Sequence, residues 1–96
     1  MKHSKAVDML AALAHDTRLR IFKLLVRQGR DGLPAGKISK RLNKAASTMS
    51  FHLAHLTKAN LVTATRESRS IIYRANFENV DDLLGYLTEN CCKGDI

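Results

Sequence analysis

Tryptophan is absent from this chain, aromatic residues make up only 5% of it, and proline occurs once. With so few rings, a core has to be built from aliphatic side chains. Cysteine is confined to the adjacent pair Cys91 and Cys92. Neighbouring residues could close only a small strained ring, so a disulfide framework is excluded and both side chains are expected as thiols in a reducing compartment. No apolar run approaches the roughly 18–20 residues needed to span a bilayer, which argues against a membrane protein. The opening residues Met1-Lys2-His3-Ser4-Lys5-Ala6-Val7-Asp8 lack a continuous apolar signal core, because Asp8 interrupts the apolar stretch around it. A cytoplasmic location is expected. Acidic residues are also scarce: nine Asp and Glu stand against sixteen Lys and Arg, giving a net charge of +7. So basic a balance points to a polyanionic partner such as nucleic acid. There is no nucleophile-base-acid set, phosphate loop or closed metal site of the kind an enzyme would need.

At 96 residues, the chain (1–96) reads as a single domain. A domain of this size buries about 60–70% of its unfolded surface, so dimerisation would add useful core. There is no internal repeat or low-complexity tract. Val7, Met9, Leu10, Leu13 and Ala14 suggest a first helix over residues 6–14. Asp16 or Thr17 offers an N-cap for a second helix, in which Leu19, Ile21, Phe22, Leu24 and Leu25 are apolar and Arg18, Arg20, Lys23 and Arg27 are assigned outward. The cluster Gly29-Arg30-Asp31-Gly32-Leu33-Pro34 reads as a turn. A short helix at 35–42 comes next, with Ile38 and Leu42 inward and Lys37, Lys40 and Arg41 outward.

The segment 44–73 carries the most information. A helix at 45–59 places Met49, Leu53 and Leu56 on one side and Ser47, Ser50, Phe51, Ala54 and Lys58 on the other. An ordinary solvent face would carry Glu, Lys and Gln, which are well hydrated and good helix formers. Serines and an outward Phe suit a face that approaches another surface closely, such as the floor of a DNA major groove. Two strands at 61–66 and 70–75 then form a hairpin around Glu67-Ser68-Arg69, with Arg66, Arg69 and Arg74 along it. Val80, Leu83, Leu84 and Leu87 recur at helical spacing, started by Asn79 or Asp81, and give a last helix that reaches the cysteines. The fold class is mainly α with a β-hairpin wing: a winged helix-turn-helix in the order α-α-α-α-β-β-α. Leu10, Leu13, Val80, Leu83, Leu84 and Leu87 would leave an apolar strip on the outer helices of a monomer, so a two-fold homodimer through the first and last helices is expected.

Three stretches together resemble the ArsR/SmtB-like metalloregulator family. They are Ala11 through Ile21 with its Thr17-Arg18-Leu19 centre; Ser47-x-x-Ser50-x-His52-Leu53-x-x-Leu56 with Ala59-Asn60-Leu61-Val62 close behind; and Arg66, Arg69-Ser70-Ile71-Ile72-Tyr73, with Ser68 where the family usually has Gly. The resemblance spans nearly the whole chain. It implies a single winged-helix domain for DNA binding and dimerisation, acting as a homodimeric repressor that leaves double-stranded operator DNA when an inducer binds. Ser47, Ser50 and Phe51 would then face base edges. Thr48, His52, Lys37, Lys40, Arg41 and Lys44 would lie nearer phosphates, and Arg66, Arg69 and Tyr73 would put the wing on the backbone or in a minor groove. Other readings compete: Ser47 as an N-cap, Phe51 as part of the core, and His52 in an interhelix hydrogen bond.

The thiolate site some family members place in the third helix is missing at Pro34-Ala35-Gly36-Lys37-Ile38, and the last helix has no histidine for the family's zinc site. Cys91 and Cys92 resemble the C-terminal cysteine pair of an arsenite-responsive subgroup, which implies As(III) or Sb(III) as inducer. Soft thiophilic ions prefer thiolate, and Lys93 would favour the deprotonated form. A third ligand would come from a small cellular thiol, hydroxide or the partner subunit. The alternatives are a redox-responsive or metal-independent repressor, or a winged-helix protein-interaction module without DNA.

Overall fold

The fully buried side chains include Met9, Ile21, Leu25, Ile38, Met49, Leu53 and Leu56, an aliphatic and thioether core without a fully buried ring. They come from helices that pack around one another in a computed structural model, which describes residues 1–94. The helices are α1 (His3–Leu13), α2 (Asp16–Gln28), α3 (Ala35–Leu42), α4 (Ala46–Lys58) and α5 (Phe77–Leu87). Three strands, β1 (Leu33–Pro34), β2 (Val62–Glu67) and β3 (Ser70–Ala75), form an antiparallel sheet in the order β1-β3-β2. This is a winged helix-turn-helix, mainly helical. No helix among the described residues is long and apolar enough to cross a membrane.

The sheet has one strand more than expected. Leu33 and Pro34, assigned to a turn, pair with Tyr73 and Ile72 of β3. A proline is tolerated there because β1 is an edge strand and needs no donor on its outer side. Gly32 makes the approach feasible. It sits at φ 64°, and a Cβ on it would lie 2.5 Å from the Tyr73 carbonyl oxygen. Leu33 is thereby turned into the core.

Helix boundaries differ from expectation where polar groups do something other than cap. The residue before α2 is His15, and no side chain caps that end. Thr17 is buried instead, and Asp16 pairs with Arg20 at 2.9 Å. That bond holds the Asp16 carboxyl below its ordinary range. Helix α5 starts earlier than Asn79: the Asn76 side chain accepts from the Asn79 backbone N–H at 3.2 Å. It also ends earlier, at Leu87, so Cys91 and Cys92 lie beyond it in a turn rather than on the helix.

The outer apolar strip is corrected in one member. Leu83 is 4% exposed and belongs to the protomer's own core, so it is not free for a partner. Leu13 and Val80 are partly buried against the same core. Leu10 remains exposed, as do Leu84 at 56% and Leu87 at 54%, and Val7 of α1 joins them.

Replacing Gly32 with Ala combines left-handed strain with overlap on a backbone carbonyl. A loss of roughly 2–4 kcal/mol in urea unfolding is expected, whereas Gly36→Ala, which meets nothing within 4 Å, leaves the midpoint unchanged or raises it.

Candidate nucleic-acid interface

Helix α3 ends at Asn43, whose φ of 54° turns the chain out of the helix. The Lys44 N–H donates to the Ser39 carbonyl at 3.1 Å, and the Ser39 hydroxyl donates to the Lys44 carbonyl. These reciprocal bonds fix the short turn that sets α4 across α3. Helix α4 then packs against α1, α2, α3 and β2. Met49, Leu53 and Leu56 face inward as expected.

The opposite face is open. Ser47, Ser50 and Ala54 are exposed, Thr48 is half-buried, and Phe51 is 59% exposed. Phe51 therefore lies outside the core, its ring edge-on to His52 and His55 at 5.4 and 4.8 Å. Ser47 does not cap the helix: the N-cap position is Ala45, without a side-chain bond. Both serine hydroxyls are left to the surface. Lys37, Lys40, Arg41 and Lys44 are exposed on and after α3, where the positive end of α4 adds to their field. The first three line a shallow basic hollow.

The wing supplies two more free cations. Arg66 and Arg69 are exposed on the β2–β3 hairpin, which turns at Ser68 with φ 59°. That left-handed angle explains why glycine suits the position. Arg74 is occupied instead, donating to the Arg30 carbonyl and to Glu67, each at 2.7 Å. Tyr73 is half-buried and packs against the core, away from the wing tip, which counts against a backbone contact there.

His52 also departs from the phosphate role. It is 6% exposed, at the junction of α4 and α2. Its ring lies 4.6 Å from that of His15, and an Arg18 N–H approaches its Nδ1 at 3.5 Å. A guanidinium only donates, so Nδ1 accepts and the ring is neutral with its proton on Nε2. Burial holds the His52 pKa below its ordinary value, and the neighbouring His15, Arg18, His55 and Lys44 push it the same way. Arg18, assigned outward from the sequence, in fact bridges three helices: its Nε donates to the Ala12 carbonyl at 2.7 Å, one of the orphan carbonyls at the end of α1.

Cys91 and Cys92 are both exposed. Interaction with the neighbouring Cys92 side chain holds the Cys91 thiol above its ordinary range, and desolvation acts in the same direction. Lys93, expected to favour the thiolate, does not offset this. Two adjacent accessible sulfurs fit a thiophilic ion. Among the described residues no group of three or more His, Cys, Asp or Glu side chains could hold a metal.

Fold and face define a class: a winged helix-turn-helix whose fourth helix shows a polar outward face framed by cations. Comparison with known proteins agrees. Residues 13–64 match a helix-turn-helix domain family. The transcriptional activator HlyU of Vibrio cholerae is 30% identical over 92 residues, covering 96% of this chain and 82% of that protein. An ArsR-like transcriptional regulator from Rhodococcus sp. RHA1 superposes with a TM-score of 0.79 at 27% identity, covering 88% of this chain and 77% of the other. A homodimeric winged helix-turn-helix DNA-binding domain from Mycobacterium bovis, of a possible ArsR-family regulator, gives a TM-score of 0.74 at 29% identity over 88% of this chain and 76% of its own. The chain belongs to the helix-turn-helix family, among the ArsR-like transcriptional regulators.

The buried neutral His52 makes stability pH-dependent. Its folded pKa lies below the unfolded value of about 6.5, so the unfolded chain binds the extra proton first. Its contribution is complete above that value and is lost as pH falls through the depressed one. Urea midpoints measured from pH 7.5 down to 5 should fall more steeply for the natural protein than for His52→Gln; equal slopes would refute the assignment.

Proposed function

We propose that the protein is a homodimeric repressor that reads double-stranded operator DNA with α4 and leaves it when As(III) or Sb(III) binds Cys91 and Cys92. The observation that carries the DNA reading is the outward face of α4, where Ser47, Ser50 and the exposed Phe51 stand free of the core beside the cations of α3. The hydroxyls can donate to or accept from base edges, and the ring can pack on a thymine methyl. Lys37, Lys40, Arg41 and Lys44 would lie on phosphates, and Arg66 and Arg69 would extend the footprint through the wing. Such a regulator works where the DNA is, in the cytoplasm.

Dimerisation is supported by the exposed Leu10, Leu84 and Leu87 with Val7, and by the homodimeric neighbour from Mycobacterium bovis. Two reading helices set about 34 Å apart would meet successive major grooves. The partner would cover an apolar patch that a lone protomer leaves in water.

The inducer reading rests on the paired exposed thiols. Arsenite, As(OH)3, condenses with two thiols to form two As–S bonds and release two water molecules, keeping one hydroxyl on arsenic. That hydroxyl could then exchange for a third thiol. Activation is a second reading, favoured by the relative named a transcriptional activator; a promoter-reporter assay separates it from repression.

Fluorescence anisotropy on the protein's own upstream DNA tests the reading, titrated with arsenite. Phe51→Ala should cost on the order of 1 kcal/mol on the specific site through lost apolar contact with a thymine methyl, and Arg69→Ala should lower the salt slope by about one unit without altering sequence preference. Arsenite should release the natural protein but not the Cys91→Ser, Cys92→Ser double variant. Release of both would place the sensor elsewhere, and absence of salt-dependent duplex binding would overturn the proposal.

The dimer has its own check. Leu84→Glu with Leu87→Glu should halve the mass seen by light scattering while far-UV circular dichroism stays native; an unchanged dimer would move the interface off α5.

A further inference from the structure

A second cleft, of about 470 Å³, opens between α1, α2 and the C-terminal end of α4. Asp8, Arg18, His55 and Lys58 line it, together with small alanine side chains that leave room beneath them. It adjoins the outward face of α4 at its far end: the His55 ring lies 4.8 Å from that of Phe51, while at about 1.5 Å per residue Lys58 lies roughly 16 Å along the axis from Ser47. Its volume is that of a small-molecule site, within the range of about 300–1,000 Å³.

The charges in it are not neutralised by ion pairs. Among the described residues the ion pairs are Asp16 with Arg20 and Glu67 with Arg74, so Arg18 and Lys58 have no carboxylate partner. Arg18 is partly buried and directed by its bond from Nε to the Ala12 carbonyl, which makes it a pre-placed rather than a floppy cation. One held guanidinium, one exposed ammonium and an imidazole thus line, with a single carboxylate, a pocket that also carries small residues. We propose that this cleft binds a compact organic anion, a carboxylate or phosphate monoester, that also carries a hydroxyl donor for Asp8.

Such a ligand would contact all three helices at once. Drawing the guanidinium toward the anion competes with its approach to His52, the buried residue of the reading helix, 3.5 Å away. Ligand binding and the seating of α4 are therefore linked through one side chain. This regulatory consequence rests on the proposed reading of DNA by α4, but the binding does not, and the test is made on the protein alone.

The probes are glycerol 3-phosphate and inorganic phosphate, monitored through amide chemical shifts in ¹H–¹⁵N spectra without DNA. Glycerol 3-phosphate should give saturable shifts centred on Ala11, Arg18, His55 and Lys58. Lys58→Gln, an exposed change that leaves the fold intact, should weaken binding on the order of tenfold, the worth of one charged hydrogen bond. Asp8→Asn should reduce the preference for glycerol 3-phosphate over phosphate. Shifts that never saturate, or that centre on Lys37, Lys40 and Arg41, would overturn the proposal. So would a Lys58→Gln variant that binds the probe as well as the natural protein but DNA less well, since the cleft would then be a phosphate-backbone contact.

Discussion

The burial of one face of α4 governs the rest of the molecule. Met49, Leu53 and Leu56 are held by α1, α2, α3 and β2 together, and an α-helix fixed on one side has no freedom to choose its other side. Ser47, Ser50 and Phe51 are presented because their neighbours are clamped. The exposed ring is informative in energetic terms. Leaving a Phe in water forgoes roughly 1.5–3 kcal/mol that burial would have contributed, and the edge-on approaches to His52 and His55 recover only part of that. A residue so placed adds little to folding and fits a surface that meets something else.

Charge is divided between structure and surface in a way that net charge conceals. Arg18 ties the end of α1, Arg74 clamps the wing base to the Gly29–Asp31 turn, and Arg20 pairs with Asp16. Of the thirteen other cations, six lie in two groups around α4: Lys37, Lys40, Arg41 and Lys44 on α3 and the adjoining turn, and Arg66 and Arg69 on the hairpin. Phosphate neutralisation depends on where free cations lie, and a count of sixteen overstates how many are available.

Periodic segments were legible in the sequence, and the exceptions have a common cause. The split of α4 into a buried and a polar face came from spacing alone, as did the hairpin from its β-branched run. His52 was open to two roles and Arg18 was assigned outward because residue type was weighed above position. Yet 49, 52, 53 and 56 form an i, i+3, i+4, i+7 set, and so do 18, 21, 22 and 25, so the positional signal for both was present. Leu19 falls off that second face and is exposed. β1 was hidden for a different reason. A two-residue strand containing proline has no pattern of its own and exists because Gly32 lets the chain pass close to β3, a tertiary fact. Asn76 caps the start of α5 three residues before Asn79, and at the other end the helix stops at Leu87, where the Thr88 hydroxyl donates to the Leu84 carbonyl at 3.1 Å; the cysteines fall beyond it.

Helix α5 is fastened at two residues, to α1 and to the chain just past the end of α4. Tyr86 and His3 meet at 2.7 Å, joining α5 to α1. Asn79 donates from Nδ2 to the Asn60 carbonyl at 2.9 Å, just past the end of α4, and accepts from Lys5 at 3.4 Å. The thiols, by contrast, sit in an exposed turn after the last residue of α5, where Asn90 and Cys92 both adopt left-handed backbone angles. This placement constrains any mechanism that runs from the thiols to α4. An ion closed entirely within one tail would reorganise a segment with few buried contacts and exert little force on α5. To shift the reading heads, a ligand must interact differently with two arrangements of the helices themselves. A third ligand donated by the partner subunit would meet that requirement, because the ion would then span the same α1–α5 surface on which the two protomers are proposed to meet.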